Sequence, residues 1–125
     1  MACVLLIDDC CDSRERLHLA LEHEGLDVIE AYDAVAGLQR AVEDAPDCVV
    51  VSGALAGLGG LEVTSRLASE ISTARLPVLL RCDLVDAEFC RDAKRAGAAA
   101  LLPRSARGPE IVGPVRDALW SVGLR

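Results

Sequence analysis

Aromatic side chains are almost missing from this chain. Tyr32, Phe89 and Trp120 are the only ones among 125 residues, so the core has to be built from Val, Leu, Ile and Ala. Basic residues are also scarce, 13 against 20 acidic, for a net charge of −7. That deficit argues against a free-standing binder of nucleic acid or anionic membranes, because phosphate contacts need clustered Lys and Arg. No secretory leader is expected, since "MACVLLIDDCC" lacks a basic start and its apolar run soon meets Asp8 and Asp9. The longest uncharged stretch, 48–61, is glycine-rich and shorter than the ~18 residues that a membrane span needs. A cytoplasmic protein is the expectation. There is no C-x-x-C pair among the six cysteines, which excludes a zinc ribbon or a thioredoxin motif and leaves reduced thiols acting as small hydrophobes. The loop "GALAGLGG" has neither the G-K-[ST] ending of a P-loop nor G-x-G-x-x-G, because Glu62 stands where the last glycine would be. It reads as a glycine-permitted turn, not a phosphate cradle.

What the chain does have is apolar content, 52%, arranged in a steady rhythm within a length suited to one domain, 1–125. "CVLLI" (3–7), "DVIEAY" (27–32), "CVVVS" (48–52), "LPVLLRC" (76–82) and "AALLP" (99–103) are short apolar runs, typical of strands covered on both faces. Helix-period segments follow each of them. Asp12 and Glu15 form a capping box before a helix that buries Leu17, Leu19, Ala20 and Leu21 and stops at Gly25. Further helices are predicted over 34–44, 60–70, 84–96 and 108–122, with Pro114 kinking the last one or delaying its start. This βα alternation predicts a doubly wound α/β fold with a five-stranded parallel sheet. Ligands of such sheets bind outside the carboxyl ends of the strands. The informative residues are therefore Asp8 and Asp9, Ser52, Cys82 and Asp83, and Arg104.

With those residues in view, the whole chain resembles the receiver domain of bacterial two-component response regulators. "LLIDDC" looks like that family's acidic pair after the first strand. "PDCVVVSGALAGLGGLEV" is similar to "PDLVLLDLMLPGMDGLEV", whose strand-ending D is phosphorylated. "LPVLLRCD" resembles "PVIMLTA", and "GAAALLPRS" resembles "GADDYLTKP". The resemblance implies a flavodoxin-like (βα)5 architecture with strand order 2-1-3-4-5. It also places Asp8 and Asp9 at the metal-binding acids, Ser52 at the phosphoacceptor, Cys82 at the phosphate-contacting hydroxyl, and Arg104 at the charge-neutralising Lys. Ser105 replaces the proline that follows, Ala56 and Gly59 replace a Pro and an Asp in the loop, and Leu101 replaces an aromatic.

A serine is a weak nucleophile without a base, and neither His18 nor His23 falls near Ser52 in this register. The resemblance thus points to an atypical, stand-alone receiver working as a phosphorylation-independent protein-interaction module, with no enzymatic activity and no organic cofactor. Asp8 and Asp9 would form a weak or vestigial Mg²⁺ site. Arg104 either reaches these acids in place of the metal or points to solvent. Arg81 either snorkels past its strand end or marks a modified binding face. The partner surface is expected on the fourth helix, fifth strand and fifth helix, 84–122, with Phe89, Leu101 and Trp120 as its candidates; a homodimer is compatible with this. Trp120 either serves that surface or seals the bottom of the core. The alternative is a still-switchable receiver that binds a metal, a small ligand or a redox signal in the remnant acidic pocket through Cys10, Cys11 and Cys82. In the simpler reading of those thiols, Cys10 lines the rim and Cys11 packs under the first helix.

Overall fold

A computed structural model describes residues 2–55 and 57–123. Five strands, β1 (Cys3–Ile7), β2 (Asp27–Ala31), β3 (Cys48–Ser52), β4 (Val78–Cys82) and β5 (Ala100–Pro103), alternate with α1 (Cys11–His23), α2 (Ala34–Glu43), α3 (Gly60–Ser69), α4 (Ala87–Ala96) and α5 (Gly108–Ser121). The strands pair in parallel in the order β2-β1-β3-β4-β5, as the rhythm and the resemblance predict.

Continuous apolar runs arise because both faces of a parallel sheet are covered. Alternate residues of each strand feed opposite layers. Val4, Leu6, Val50, Leu79 and Leu102 pack with Leu17 and Leu21 of α1 and with Ile111, Val115 and Leu119 of α5. Leu5, Ile7, Val49, Val51 and Leu80 pack with Ala34 and Ala41 of α2, Val63 and Leu67 of α3, and Ala93 of α4. No helix among the described residues is long and apolar enough to cross a membrane.

Local differences from the sequence reading have identifiable causes. The Asp12–Glu15 capping box does not form: α1 starts at Cys11 with Cys10 as its N-cap, and no side chain caps it. The Asp8 carboxylate takes the Cys10 N–H at 2.9 Å, which turns the chain into the helix early and leaves Asp12 inside the first turn. Leu19 is exposed, because Leu17 and Leu21 lie four residues apart on one side and Leu19 falls on the other. The fourth helix begins at Ala87, not at 84, since Asp86 accepts from the Phe89 N–H at 3.0 Å and acts as the cap. The last helix starts at Gly108 and runs through Pro114, so the proline does not delay it.

Two glycines permit close approaches at helix ends, Gly60 beside the carboxyl end of β3 and Gly97 ahead of β5. A Cβ on Gly60 would stand 2.5 Å from the Ser52 carbonyl oxygen, so α3 can start against the end of β3 only without a side chain there. Gly97 ends α4 with φ +106°, and a Cβ there would also press on Ala68. Gly97→Ala is expected to cost about 1–2 kcal/mol, read as a lower urea midpoint with an unchanged m-value.

Candidate functional site

The carboxyl ends of β1, β3 and β4 meet at one rim. Ser52 pairs in register with Arg81, and strand alternation sends both toward the α1–α5 layer, the side that receives Val50 and Leu79. Asp8, two residues after Leu6, faces the same way. Cys82, in phase with Leu80, faces the α4 layer. The rim is thus split by strand parity into two sets of side chains.

Arg81 does not snorkel. It is buried, with 9% of its surface exposed, and its guanidinium turns inward onto the still more deeply buried Asp8. Nη1 donates to Asp8 Oδ2 at 3.3 Å and to Ser13 Oγ at 2.8 Å, while Nη2 donates to the Arg104 carbonyl at 2.9 Å. Nε is buried with no hydrogen-bond partner. The remaining groups of Asp8 are also engaged. Oδ1 accepts from the Cys10 N–H, the backbone N–H donates to Ala31 O at 3.1 Å, and the carbonyl accepts from Arg14 Nη1 at 2.9 Å. Burial pulls the Arg81 pKa below its ordinary value, Asp8 opposes that shift, and the nearby Arg16 and Arg104 add to it. A guanidinium nevertheless keeps its charge at neutral pH.

The cation paired with Asp8 is therefore Arg81, where the sequence reading offered Arg104. Arg104 joins the arrangement through its backbone carbonyl, and its side chain is exposed. The cause is register: Arg81 lies beside Ser52 inside the sheet, whereas Arg104 follows the end of β5.

One cavity of about 230 Å³ brings together Asp8, Asp9, Cys10, Ser52, Arg81 and Arg104. Ser52 Oγ accepts from the Ala54 N–H at 3.3 Å, and no histidine lines this cavity. Cys82 belongs to a different cavity of about 180 Å³, shared with Gly53, Asp83, Asp86 and Phe89. Burial pushes its thiol up to about 11, with Cys90 and then Asp83 adding to the effect. The neighbour of Cys82 is thus Cys90, which the sequence reading did not single out; its place in the first turn of the following helix was the available signal. Cys10 and Cys11 are both exposed, so Cys11 does not pack under α1. Ala56 lies outside the described residues.

A divalent cation fits this rim poorly. Hard cations need several free oxygen ligands, yet Asp8 spends one oxygen on Cys10 and the other on a buried guanidinium. Among the described residues, no group of three or more His, Cys, Asp or Glu side chains is placed to hold a metal ion.

Of the three candidates for a partner surface, Phe89 and Leu101 are partly buried against the α2–α4 layer. Trp120 is 58% exposed and so does not seal the core. The connection before α4 adds Leu84 and Val85, the latter 88% exposed; the sequence reading had placed both inside the helix.

Comparison with known proteins matches residues 4–116 to the family model described as the response regulator receiver domain. The chain is 32% identical over 117 residues to the transcriptional regulatory protein LiaR of Bacillus subtilis, covering 92% of this chain and 54% of LiaR. It is 30% identical over 80 residues to the protein PilH of Pseudomonas aeruginosa, covering 64% of this chain and 66% of PilH. The chain thus spans between half and two thirds of the length of these relatives. Among solved structures, NtrX from Brucella abortus superposes with a TM-score of 0.88 at 26% identity, over 99% of this chain and 28% of that one. The chemotaxis response regulator CheY4 of Vibrio cholerae shares the fold, with a TM-score of 0.88 at 20% identity over 94% of this chain and 98% of that one.

Proposed function

Since the chain belongs to the response regulator receiver domain family of bacterial signalling, we propose that it is a receiver whose output is set by protein contacts and not by phosphorylation. The observation that carries this reading is the buried Arg81–Asp8 pair beside Ser52. Phosphoryl transfer to a receiver calls for a carboxylate nucleophile and for cations that neutralise the phosphoryl oxygens. At the position where the family resemblance puts the nucleophile stands a serine hydroxyl, with no histidine in its cavity to activate it. The acid beside it already has a permanent cation.

The same reading makes the protein a non-catalytic module of the cytoplasm. Its partner would contact the α4–β5–α5 face, which carries the exposed Trp120 and the partly buried Phe89 and Leu101, with exposed Val85 in the connection before α4. The thiol-sensor alternative finds less support, because Cys82 and Cys10 line separate cavities.

Incubation with acetyl phosphate and Mg²⁺, followed by intact-mass measurement, is expected to show no phosphoryl adduct. An acid-labile gain of one phosphoryl group would overturn the proposal.

A further inference from the structure

A larger groove, of about 670 Å³, lies between α1 and the start of α5. Arg16, Arg81, Arg104 and Arg107 all line it. Four of the 13 basic residues of an acidic chain therefore converge on one concave surface. No Asp or Glu is among its described lining residues. The nearest acid on α5, Glu110, is turned onto the backbone N–H of Arg107 at 3.3 Å. Arg81 is already paired with Asp8, but Arg16, Arg104 and Arg107 add three like charges with no carboxylate among the described lining residues, and a bound anion relieves their repulsion.

The groove has a rigid element and an adaptable one. Arg81, nine-tenths buried, is fixed by Asp8, Ser13 and the Arg104 carbonyl, and its Nε has no partner. Its charge cannot leave the groove. Arg16, on α1, and Arg104 and Arg107, in the β5–α5 connection, are exposed and line the groove from its two sides. Guanidinium forks match phosphate oxygens in pairs. The 14-residue helix α5 also begins here, and its positive end adds to the field. Leu19, 59% exposed, and Pro109 supply an apolar margin beside this charge. The volume lies within the roughly 300–1,000 Å³ of small-molecule sites.

We propose that this groove binds a phosphate ester of nucleotide size, its phosphates on Arg16, Arg104 and Arg107 and its apolar ring over Leu19 and Pro109. The groove adjoins the acidic rim and shares Ser13, Arg16, Arg81 and Arg104 with its cavity, while Arg107, Leu19 and Pro109 belong to the groove alone. It would give a receiver that phosphorylation does not instruct a soluble ligand to respond to. Polymeric nucleic acid is disfavoured by the chain's net charge of −7.

Calorimetric titration of the full chain with ADP, inorganic pyrophosphate and adenosine, without divalent ions, tests this. Saturable binding of ADP is expected, with pyrophosphate weaker and adenosine not bound. Arg16→Ala and Arg107→Ala should each weaken ADP by about tenfold, whereas Arg66→Ala, on α3, should not change it. No saturable binding at millimolar ADP would overturn the proposal. So would ADP affinity that the Arg16→Ala/Arg107→Ala double variant leaves unmoved. Pyrophosphate binding as tightly as ADP would overturn the nucleotide-sized ligand. Each of these outcomes is independent of the phosphoryl-adduct measurement.

Discussion

Arg81→Leu should lower the unfolding free energy by about 3–5 kcal/mol, the usual cost of stranding one member of a buried ion pair. Asp8 has 4% of its surface exposed, so water cannot replace the lost guanidinium without reopening the rim. The variant also removes the donors to Ser13 and to the Arg104 carbonyl. The leucine itself is well suited to its surroundings, since β4 is apolar at Val78, Leu79 and Leu80. The loss therefore reports the stranded charge and the missing hydrogen bonds. Two measurements make the assignment specific. Adding Asp8→Asn to Arg81→Leu should recover part of the stability, because an amide strands no charge. Mg²⁺ should stabilise Arg81→Leu while leaving the parent chain unchanged. A concentration ten times the dissociation constant would contribute about 1.4 kcal/mol. A loss below about 1 kcal/mol on urea unfolding would mean that the pair is screened as a surface pair is.

Ser52→Asp alone should not create a phosphoryl acceptor, whereas Ser52→Asp combined with Arg81→Leu should. The single change supplies a carboxylate, yet Arg81 still holds Asp8 Oδ2 and lies beside residue 52 in the β3–β4 register. The new carboxylate would extend the internal ion pair and leave the divalent ion without its ligands. Removing Arg81 frees Asp8, and the exposed Arg104 remains available to the phosphoryl oxygens. The expected contrast in the rate of acetyl phosphate labelling is at least about a hundredfold, the effect of losing one well-placed charge-stabilising group. Intact mass with Mg²⁺ present reads it directly. Equal labelling of the single and double variants would show that Arg81 is no obstacle to the reaction.

The fold was legible because parallel sheets write themselves as apolar runs at regular intervals, and each of the five runs holds a strand. The strand-end residues were legible for the same reason: Asp8, Asp9, Ser52 and Arg104 do share one cavity. The partnership inside that cavity was not. Asp8 and Arg81 are 73 residues apart, and only strand register and parity set the guanidinium on the acidic side of the sheet. Parity likewise separates Cys82 from Cys10 and gives it Cys90 as a neighbour. In α1, Leu17, Leu19 and Leu21 look alike in sequence, and the helical turn alone decides that Leu19 faces out. The basic groove escaped notice because its arginines come from α1, β4 and the β5–α5 connection, far apart along a chain whose overall charge points the other way.

The guanidinium at the rim also differs from any dissolved ion in how it answers to mass action. An ion that binds and leaves has an occupancy set by its concentration outside, and a chelator can strip it. Arg81 is attached through its own backbone to β4, so its effective concentration at Asp8 is fixed whenever the chain is folded. Its seating was settled during folding, along with the strands around it. Neither a fluctuating divalent level nor a chelating agent can empty that position, and the rim should hold the same shape in either environment.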